Sequence, residues 1–292
     1  PFSGRSSGSA RGMASCDASD VFALCDATRR ADGDVEANRR ALEAAVQEIM
    51  TRTCRPVWTH DRRLRARRDE EKEVTPGDFK VLEVIVSEGD GYASMRQRYE
   101  AAKGRRLRRT PAPPTHACST DPWSRSRCAK VNECLLLHGT VAESAVRICR
   151  DGFSTRHAAR RSTCGAAVYL ADSATKADEY ASPEDPGAAR VLVISRVLGG
   201  VVHYTADAAP DKEELTELMT TCKCDTILND REACRGTFKE FVVARPHHAL
   251  PECVVYYSQL DTKHRQPVAR ASPVIRRSAS HRLPQRSALT TC

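Results

Sequence analysis

The sequence predicts an α+β fold for residues 77–260. Short apolar runs of strand length, rich in Val, Ile and Leu, recur throughout this region. Only two or three short helical segments lie between them, and they do not alternate regularly with the strands as the βαβ units of a parallel sheet would. These observations favour a mainly antiparallel sheet accompanied by a few short helices.

The regions on either side have different compositions. Residues 1–34 are rich in Ser, Gly, Ala, Asp and Arg and show little apolar periodicity, so we expect them to be disordered. Residues 35–76 are predicted to contain an amphipathic helix, 35–50, and a charged stretch, 61–72, for which a linker is favoured over a nucleic-acid arm. Residues 261–292, dominated by Arg, Ser, Pro and His, are predicted to be a disordered basic tail.

Within the central region, the pattern predicts the elements in this order. We expect strands at 79–86, 134–140, 167–171, 190–195, 199–204, 225–228, 238–243 and 249–257. We expect helices at 92–103, 142–150 and 212–220, and a long loop at 103–126 because it contains a proline cluster and a basic run.

The end of the second predicted strand is the first candidate site. An apolar run delivers His138, Gly139 and Thr140 in immediate succession, although such a tripeptide alone is more often an ordinary turn. The next helix is followed by Gly152, which suits a helix cap, and then by a short strand that carries Tyr169.

Four separate blocks in this order resemble the catalytic core of the poly(ADP-ribose) polymerase family of ADP-ribosyltransferases. They are Leu-Leu-His-Gly-Thr at 136–140, Asp-Gly-Phe at 151–153, Val-Tyr-Leu-Ala-Asp at 168–172, and the segment 176–180. The resemblance covers about residues 77–259 and implies two antiparallel half-sheets with an NAD cleft between them. It also implies transfer of ADP-ribose from NAD to protein acceptors, and it leaves open both modification of the enzyme itself and transfer to nucleic acid ends.

The resemblance assigns a catalytic triad to His138, Tyr169 and Glu240. Glu240 lies in an alternating strand, 238–243, that sets a carboxylate among apolar neighbours. Cleavage of the nicotinamide–ribose bond builds positive charge on the sugar, and a fixed carboxylate would stabilise that charge. His138 would bind the adenosine ribose, and Tyr169 would form one wall of the nicotinamide site.

The resemblance places four further residues against the cofactor. The backbone of Gly139 would clamp the nicotinamide amide, because a side chain there would obstruct the approach. Tyr180 would stack on the nicotinamide ring. Thr140 is placed beside them, and Arg156 lies in the loop 154–164, whose arginines suit a pyrophosphate. Each residue also has an ordinary structural interpretation, as a turn histidine, core aromatic, strand carboxylate or solvated arginine.

Two departures from the family pattern keep a second function open. Ala167 stands where the family usually has a glycine, and Ala177 where many relatives carry a serine that binds nicotinamide. The loss of one such hydrogen bond would weaken NAD binding by about 1 kcal/mol. The alternative is a non-catalytic scaffold that binds NAD, nucleic acid or protein at a degraded site. If the chain is an active enzyme, the resemblance implies that Glu240 permits polymer formation. Transfer of one or a few ADP-ribose units is slightly favoured.

Composition constrains partners and compartment. The net charge of +8 over 292 residues allows nucleic acid as a further partner without specifying it. The 13 cysteines are scattered without a CxxC pair, so we expect reduced thiols, no metal, and a nuclear or cytoplasmic protein. No apolar run reaches the length of a membrane span, so no membrane partner is expected.

Overall fold

The computed structural model describes residues 18–31, 33–57, 59, 78–109, 124, 128–156, 164–181 and 189–260. The helices are α1 Ala18–Arg30, α2 Val35–Thr53, α3 Gly89–Arg109, α4 Ala142–Asp151, α5 Ala174–Asp178, α6 Lys212–Thr220 and α7 Arg231–Arg235. The strands are β1 Phe79–Val86, β2 Glu133–Thr140, β3 Val168–Ala171, β4 Arg190–Leu198, β5 Val202–Thr205, β6 Thr226–Asp230, β7 Lys239–Val243 and β8 Ala249–Gln259.

The strands form one eight-stranded sheet in the order β1-β8-β4-β2-β3-β7-β6-β5. Neighbouring strands run antiparallel except β5 and β6, which are parallel. The predicted α+β class with a mainly antiparallel sheet is therefore confirmed.

The sheet has two halves that meet at one point. β2 pairs with β4 along its whole length, whereas its pairing with β3 consists of Leu137 opposite Ala171 alone. The halves β1-β8-β4-β2 and β3-β7-β6-β5 are thus hydrogen-bonded to each other through one residue pair. The predicted split between two antiparallel half-sheets corresponds to this single-pair junction between β2 and β3.

The first two helices cover one face of the first half-sheet. Val21, Phe22 and Cys25 of α1 and Ile49 of α2 are buried in the same apolar cluster as Leu135 of β2. α2 also carries an Asp34 N-cap, whose side chain accepts from the N–H of Ala37 at 3.0 Å. The described part of the N-terminal region therefore shares its core with the sheet.

The expectation of disorder for residues 1–34 is wrong for Ala18–Arg30, which form α1. Val21, Phe22 and Cys25 recur at helical spacing, and their burial against the sheet supplies the stabilisation that the polar composition lacks. The predicted disorder of 1–17 and 261–292, and the charged stretch 61–72, lie outside the described residues.

The third helix is longer than predicted. It begins at Gly89 and continues through the basic run to Arg109, so the first residues of the predicted loop 103–126 are helical. Arginine and leucine are good helix formers, and the helix needs no break before the proline cluster. Residues 110–123, 125 and 126 of that predicted loop lie outside the described residues.

None of the helices in the described ranges is long and apolar enough to span a membrane.

Candidate active site

The two half-sheets separate where β2 ends. Beyond Leu137 and Ala171 no further residues of β2 and β3 pair, so the strands diverge at His138, Gly139 and Thr140. β2, β3 and β7 are consecutive in the sheet order, and adjacent strands lie about 4.8 Å apart. The three strands that carry His138, Tyr169 and Glu240 are therefore direct neighbours.

His138 occupies the gap between the half-sheets. Its Nδ1 lies 2.8 Å from the carbonyl oxygen of Tyr169, which can only accept, so the N–H is on Nδ1. The imidazole thus satisfies a backbone carbonyl where the strand pairing has stopped. The ring also packs edge-on against Phe153 at 5.2 Å between ring centroids. Burial lowers the pKa of His138, so at neutral pH the ring is uncharged and its Nε2 is a hydrogen-bond acceptor.

Gly139 packs directly against α5. A Cβ at this position would lie 1.7 Å from the carbonyl oxygen of Ala177. The glycine is therefore required by the approach of a helix to the strand, whereas the sequence suggested only the approach of a cofactor. Ala177 itself is buried in the apolar cluster shared with Leu137.

Glu240 is held by a lysine of the same helix. Glu240 lies on β7, opposite Ala171 of β3, and its side chain is 24% exposed. Lys176 Nζ lies 2.9 Å from Glu240 Oε1 and 2.9 Å from Oε2 of Glu179. Burial opposes the charged ammonium, but the two carboxylates outweigh it and hold the pKa of Lys176 well above its usual value.

Tyr180 joins the same cluster. Its hydroxyl lies 3.4 Å from Lys176 Nζ, and the ammonium lies 5.2 Å from the centre of its ring. The side chain is 44% exposed, so one part of the ring is open to solvent. Because Lys176 contacts Glu240 and the next residue, Ala177, contacts Gly139, α5 brings residues of β2 and β7 together.

Tyr169 is directed towards its own loop. Its hydroxyl accepts from the N–H of Cys164 at 3.0 Å and donates to the carbonyl of Gly165 at 3.2 Å. Tyr169 lies opposite Val242 and Ala171 lies opposite Glu240, so the Tyr169 ring and the Glu240 carboxylate project from the same face. The contact between Tyr169 and His138 runs through the tyrosine backbone.

Thr140 and Arg156 are the remaining two predicted cofactor contacts. Thr140 is half-buried at the end of β2, opposite Val191 of β4. Arg156 is exposed, and its backbone N–H donates to Ser154 Oγ at 3.3 Å. Residues 157–163 of the predicted cofactor loop are outside the described residues, so the place of Arg156 in the site stays a prediction.

Lys176 lies in the segment 176–180 that resembles the family, but the resemblance gives it no role. The spacing of Lys176 and Tyr180, four residues apart, places both on one face of a helical turn and was the available signal. The contact with Glu240 joins α5 to a distant strand, and no local pattern predicts it.

The described ranges contain no group of three or more His, Cys, Asp or Glu side chains arranged to hold a metal ion. Residues 116–258 match the family model described as the poly(ADP-ribose) polymerase catalytic domain. No curated protein sequence matches the chain.

Proposed function

We propose that the protein breaks the nicotinamide–ribose bond of NAD and transfers ADP-ribose to protein acceptors, because residues 116–258 match the model of the poly(ADP-ribose) polymerase catalytic domain. The observation that carries this proposal is the position of Glu240, which is ion-paired to buried Lys176 beside Tyr180 at the split between the half-sheets.

Glu240 is the proposed catalytic residue. As the bond to nicotinamide breaks, positive charge develops on the ribose, and a carboxylate fixed nearby stabilises it. The ion pair with Lys176 fixes the orientation of the Glu240 carboxylate. Glu240 also orients the acceptor nucleophile in this proposal. Lys176 acts through Glu240 and is therefore a positioning residue.

His138 is proposed to bind the adenosine ribose. Its Nδ1 is committed to the carbonyl of Tyr169, which fixes the plane of the ring and leaves Nε2 as an acceptor for a ribose hydroxyl. The neutral state favoured by burial preserves that acceptor at pH 7.

The nicotinamide is proposed to lie between Tyr180 and Tyr169. The exposed part of the Tyr180 ring provides a stacking surface, and the backbone of Gly139 binds the amide. Tyr169 forms the opposite wall while its hydroxyl anchors the segment before β3. Thr140 and Arg156 complete the proposed NAD contacts, with Arg156 directed at the pyrophosphate.

The proposed products are acceptor proteins, including the protein itself, that carry one or a few ADP-ribose units. Nucleic acid is retained as a further partner of the basic segments, and a nuclear or cytoplasmic location is retained as well.

The test is incubation of the full chain with labelled NAD followed by separation of the proteins on a denaturing gel. We expect a labelled band for the wild type and almost none for Glu240→Gln, which keeps the shape of the side chain but removes its charge. Glu143→Gln is the matched control, because the Glu143 side chain is 81% exposed on α4. Equal labelling of wild type and Glu240→Gln would refute the role of Glu240.

The same gel distinguishes the proposed transferase from the alternative, a non-catalytic scaffold. That alternative is favoured by Ala177, whose buried methyl group offers no hydroxyl to nicotinamide, and by the buried Ala167. It predicts a folded protein that neither labels any acceptor nor releases nicotinamide.

A further inference from the structure

A cavity lies at the opposite end of β7 from Glu240. It has a volume of about 340 Å³ and is lined by Arg105 and Arg106 of α3, by Asp225, and by Arg245, His247 and His248. Arg245 lies just beyond the end of β7, five residues after Glu240. At about 3.3 Å per residue of extended chain, the two residues are roughly 16 Å apart. We call this cavity the arginine pocket.

The arginine pocket carries a surplus of positive charge. Arg106 lies 3.0 Å from Oδ2 of Asp225, and Arg245 lies 2.8 Å from its Oδ1. Asp225 also accepts from the N–H of Val201 at 2.9 Å. Two guanidinium groups therefore face one carboxylate that is already engaged, and the exposed Arg105 adds a third positive charge at the rim.

His248 is a buried residue that lines the pocket. The residue is 6% exposed, and among the described residues its Nδ1 has no hydrogen-bond partner. Burial lowers the pKa of His248 to about 4, with the charges of His247, Arg245 and Arg106 acting in the same direction and Asp225 opposing them. The neutral ring has one N–H, which can be donated to an anion from Nδ1. Buried polar side-chain atoms without a partner are uncommon in proteins, and His248 Nδ1 is one of five among the described residues.

We propose that the arginine pocket binds the phosphate or pyrophosphate group of a small molecule. Planar guanidinium groups match the geometry of phosphate oxygens, and the imidazole supplies a further donor from the buried wall. The volume lies within the range of small-molecule pockets. The phosphate comes either from the free anion or from a nucleotide. The site is separate from the proposed NAD cleft, and the proposal does not depend on catalysis.

The test is isothermal titration calorimetry of the full chain at constant ionic strength with three probes: inorganic phosphate, pyrophosphate and ADP. We expect saturable binding of pyrophosphate with one site per chain. Arg105→Gln should weaken that binding at least fivefold. Arg108→Gln is the matched control, because Arg108 is exposed on the same helix and does not line the pocket. It should change the affinity less than twofold.

A second variant removes the buried donor. His248→Phe keeps a planar ring but has no Nδ1, and it should also weaken pyrophosphate binding at least fivefold while its circular dichroism matches that of the wild type. If His248→Phe does not fold, the comparison of Arg105→Gln with Arg108→Gln still shows whether the arginine pocket binds pyrophosphate.

The ADP arm identifies the source of the phosphate. ADP that binds more tightly than pyrophosphate, with both affinities reduced by Arg105→Gln, indicates a nucleotide, whereas equal affinities indicate the free anion. The proposal is overturned if pyrophosphate does not bind saturably. It is also overturned if Arg105→Gln and Arg108→Gln weaken binding equally, or if Arg105→Gln leaves all binding unchanged.

Discussion

At the scale of single residues, Gly139 shows that a functional motif can be fixed by packing. The absent side chain is required because the carbonyl of Ala177 occupies the place of a Cβ. The same contact holds α5 against β2, and α5 carries Lys176, which orients Glu240. The glycine therefore supports the proposed catalytic carboxylate indirectly.

We predict that Gly139→Ala lowers the free energy of unfolding by about 1–3 kcal/mol, because the added methyl group must displace α5. Urea denaturation measures the change. Gly104→Ala is the control, since its Cβ would meet only the flexible end of Arg108 at 3.4 Å within helix α3. There the alanine should leave stability unchanged or raise it by up to about 1 kcal/mol. A stable Gly139→Ala variant would show that α5 does not constrain this strand.

His138 gives a prediction for pH dependence. Burial lowers the pKa of His138 in the folded state, so as the pH falls below about 6.5 the unfolded chain takes up the proton first. Stability should therefore be highest above pH 6.5 and should fall as the pH drops towards the lowered pKa. His138→Gln has no titrating ring and should lose this part of the slope.

The measurement is the difference in unfolding free energy between the wild type and His138→Gln from pH 5 to pH 8, in which the contributions of the other histidines cancel. We expect this difference to be constant above pH 6.5. Below pH 6.5 the unfolding free energy of the wild type should fall relative to that of His138→Gln. A difference that is constant down to pH 5 would contradict the buried, neutral state of His138.

Single residues also show what the sequence could and could not predict. Four ordered blocks were enough to select His138, and the alternating strand 238–243 together with the family resemblance selected Glu240. The two residues lie on β2 and β7, which flank β3 in the sheet. The hydrogen bond between His138 and the Tyr169 carbonyl, and the ion pair between Lys176 and Glu240, depend on tertiary approach of segments far apart in the chain. Local periodicity carries no information about such contacts.

At the scale of elements, the sequence predicted the strands and the helix α2 well but missed α1. β1 and α6 occur at the predicted bounds, 79–86 and 212–220, because their patterns are strong and clearly delimited. The helix α1 was missed because its few apolar residues are sufficient only when a sheet face is present to cover them. Its Arg29 donates to the buried carboxylate of Glu252 on β8, a long-range contact that the composition could not indicate.

The packing of α2 makes a prediction at this scale. Ile49 is fully buried between the helix and the first half-sheet, so Ile49→Ala should lower the free energy of unfolding by about 2–5 kcal/mol. Arg40→Ala, on the exposed side of α2, is the control and should change it by less than about 0.5 kcal/mol. Urea denaturation with one cooperative transition is expected in both cases. If Ile49→Ala left stability unchanged, the helix would not be part of the same folding unit as the sheet.

At the scale of the whole molecule, one discontinuity in the sheet organises the candidate site. Two half-sheets meet at Leu137 and Ala171, and the short helix α5 bridges the strands on either side through contacts with Gly139 and Glu240. In the proposed function, NAD lies where the two half-sheets separate, so that residues from both half-sheets act on it. The arginine pocket lies at the other end of β7, so one strand links the two proposed sites.

The central claim is that Glu240 stabilises the charge that develops on the ribose when nicotinamide leaves. The most direct measurement is the initial rate of nicotinamide release as a function of NAD concentration for wild type and Glu240→Gln. We predict that kcat falls at least about 100-fold in the variant while KM changes little, because the charge interaction is stronger in the transition state than with bound NAD. An unchanged kcat in a correctly folded Glu240→Gln variant would contradict the claim.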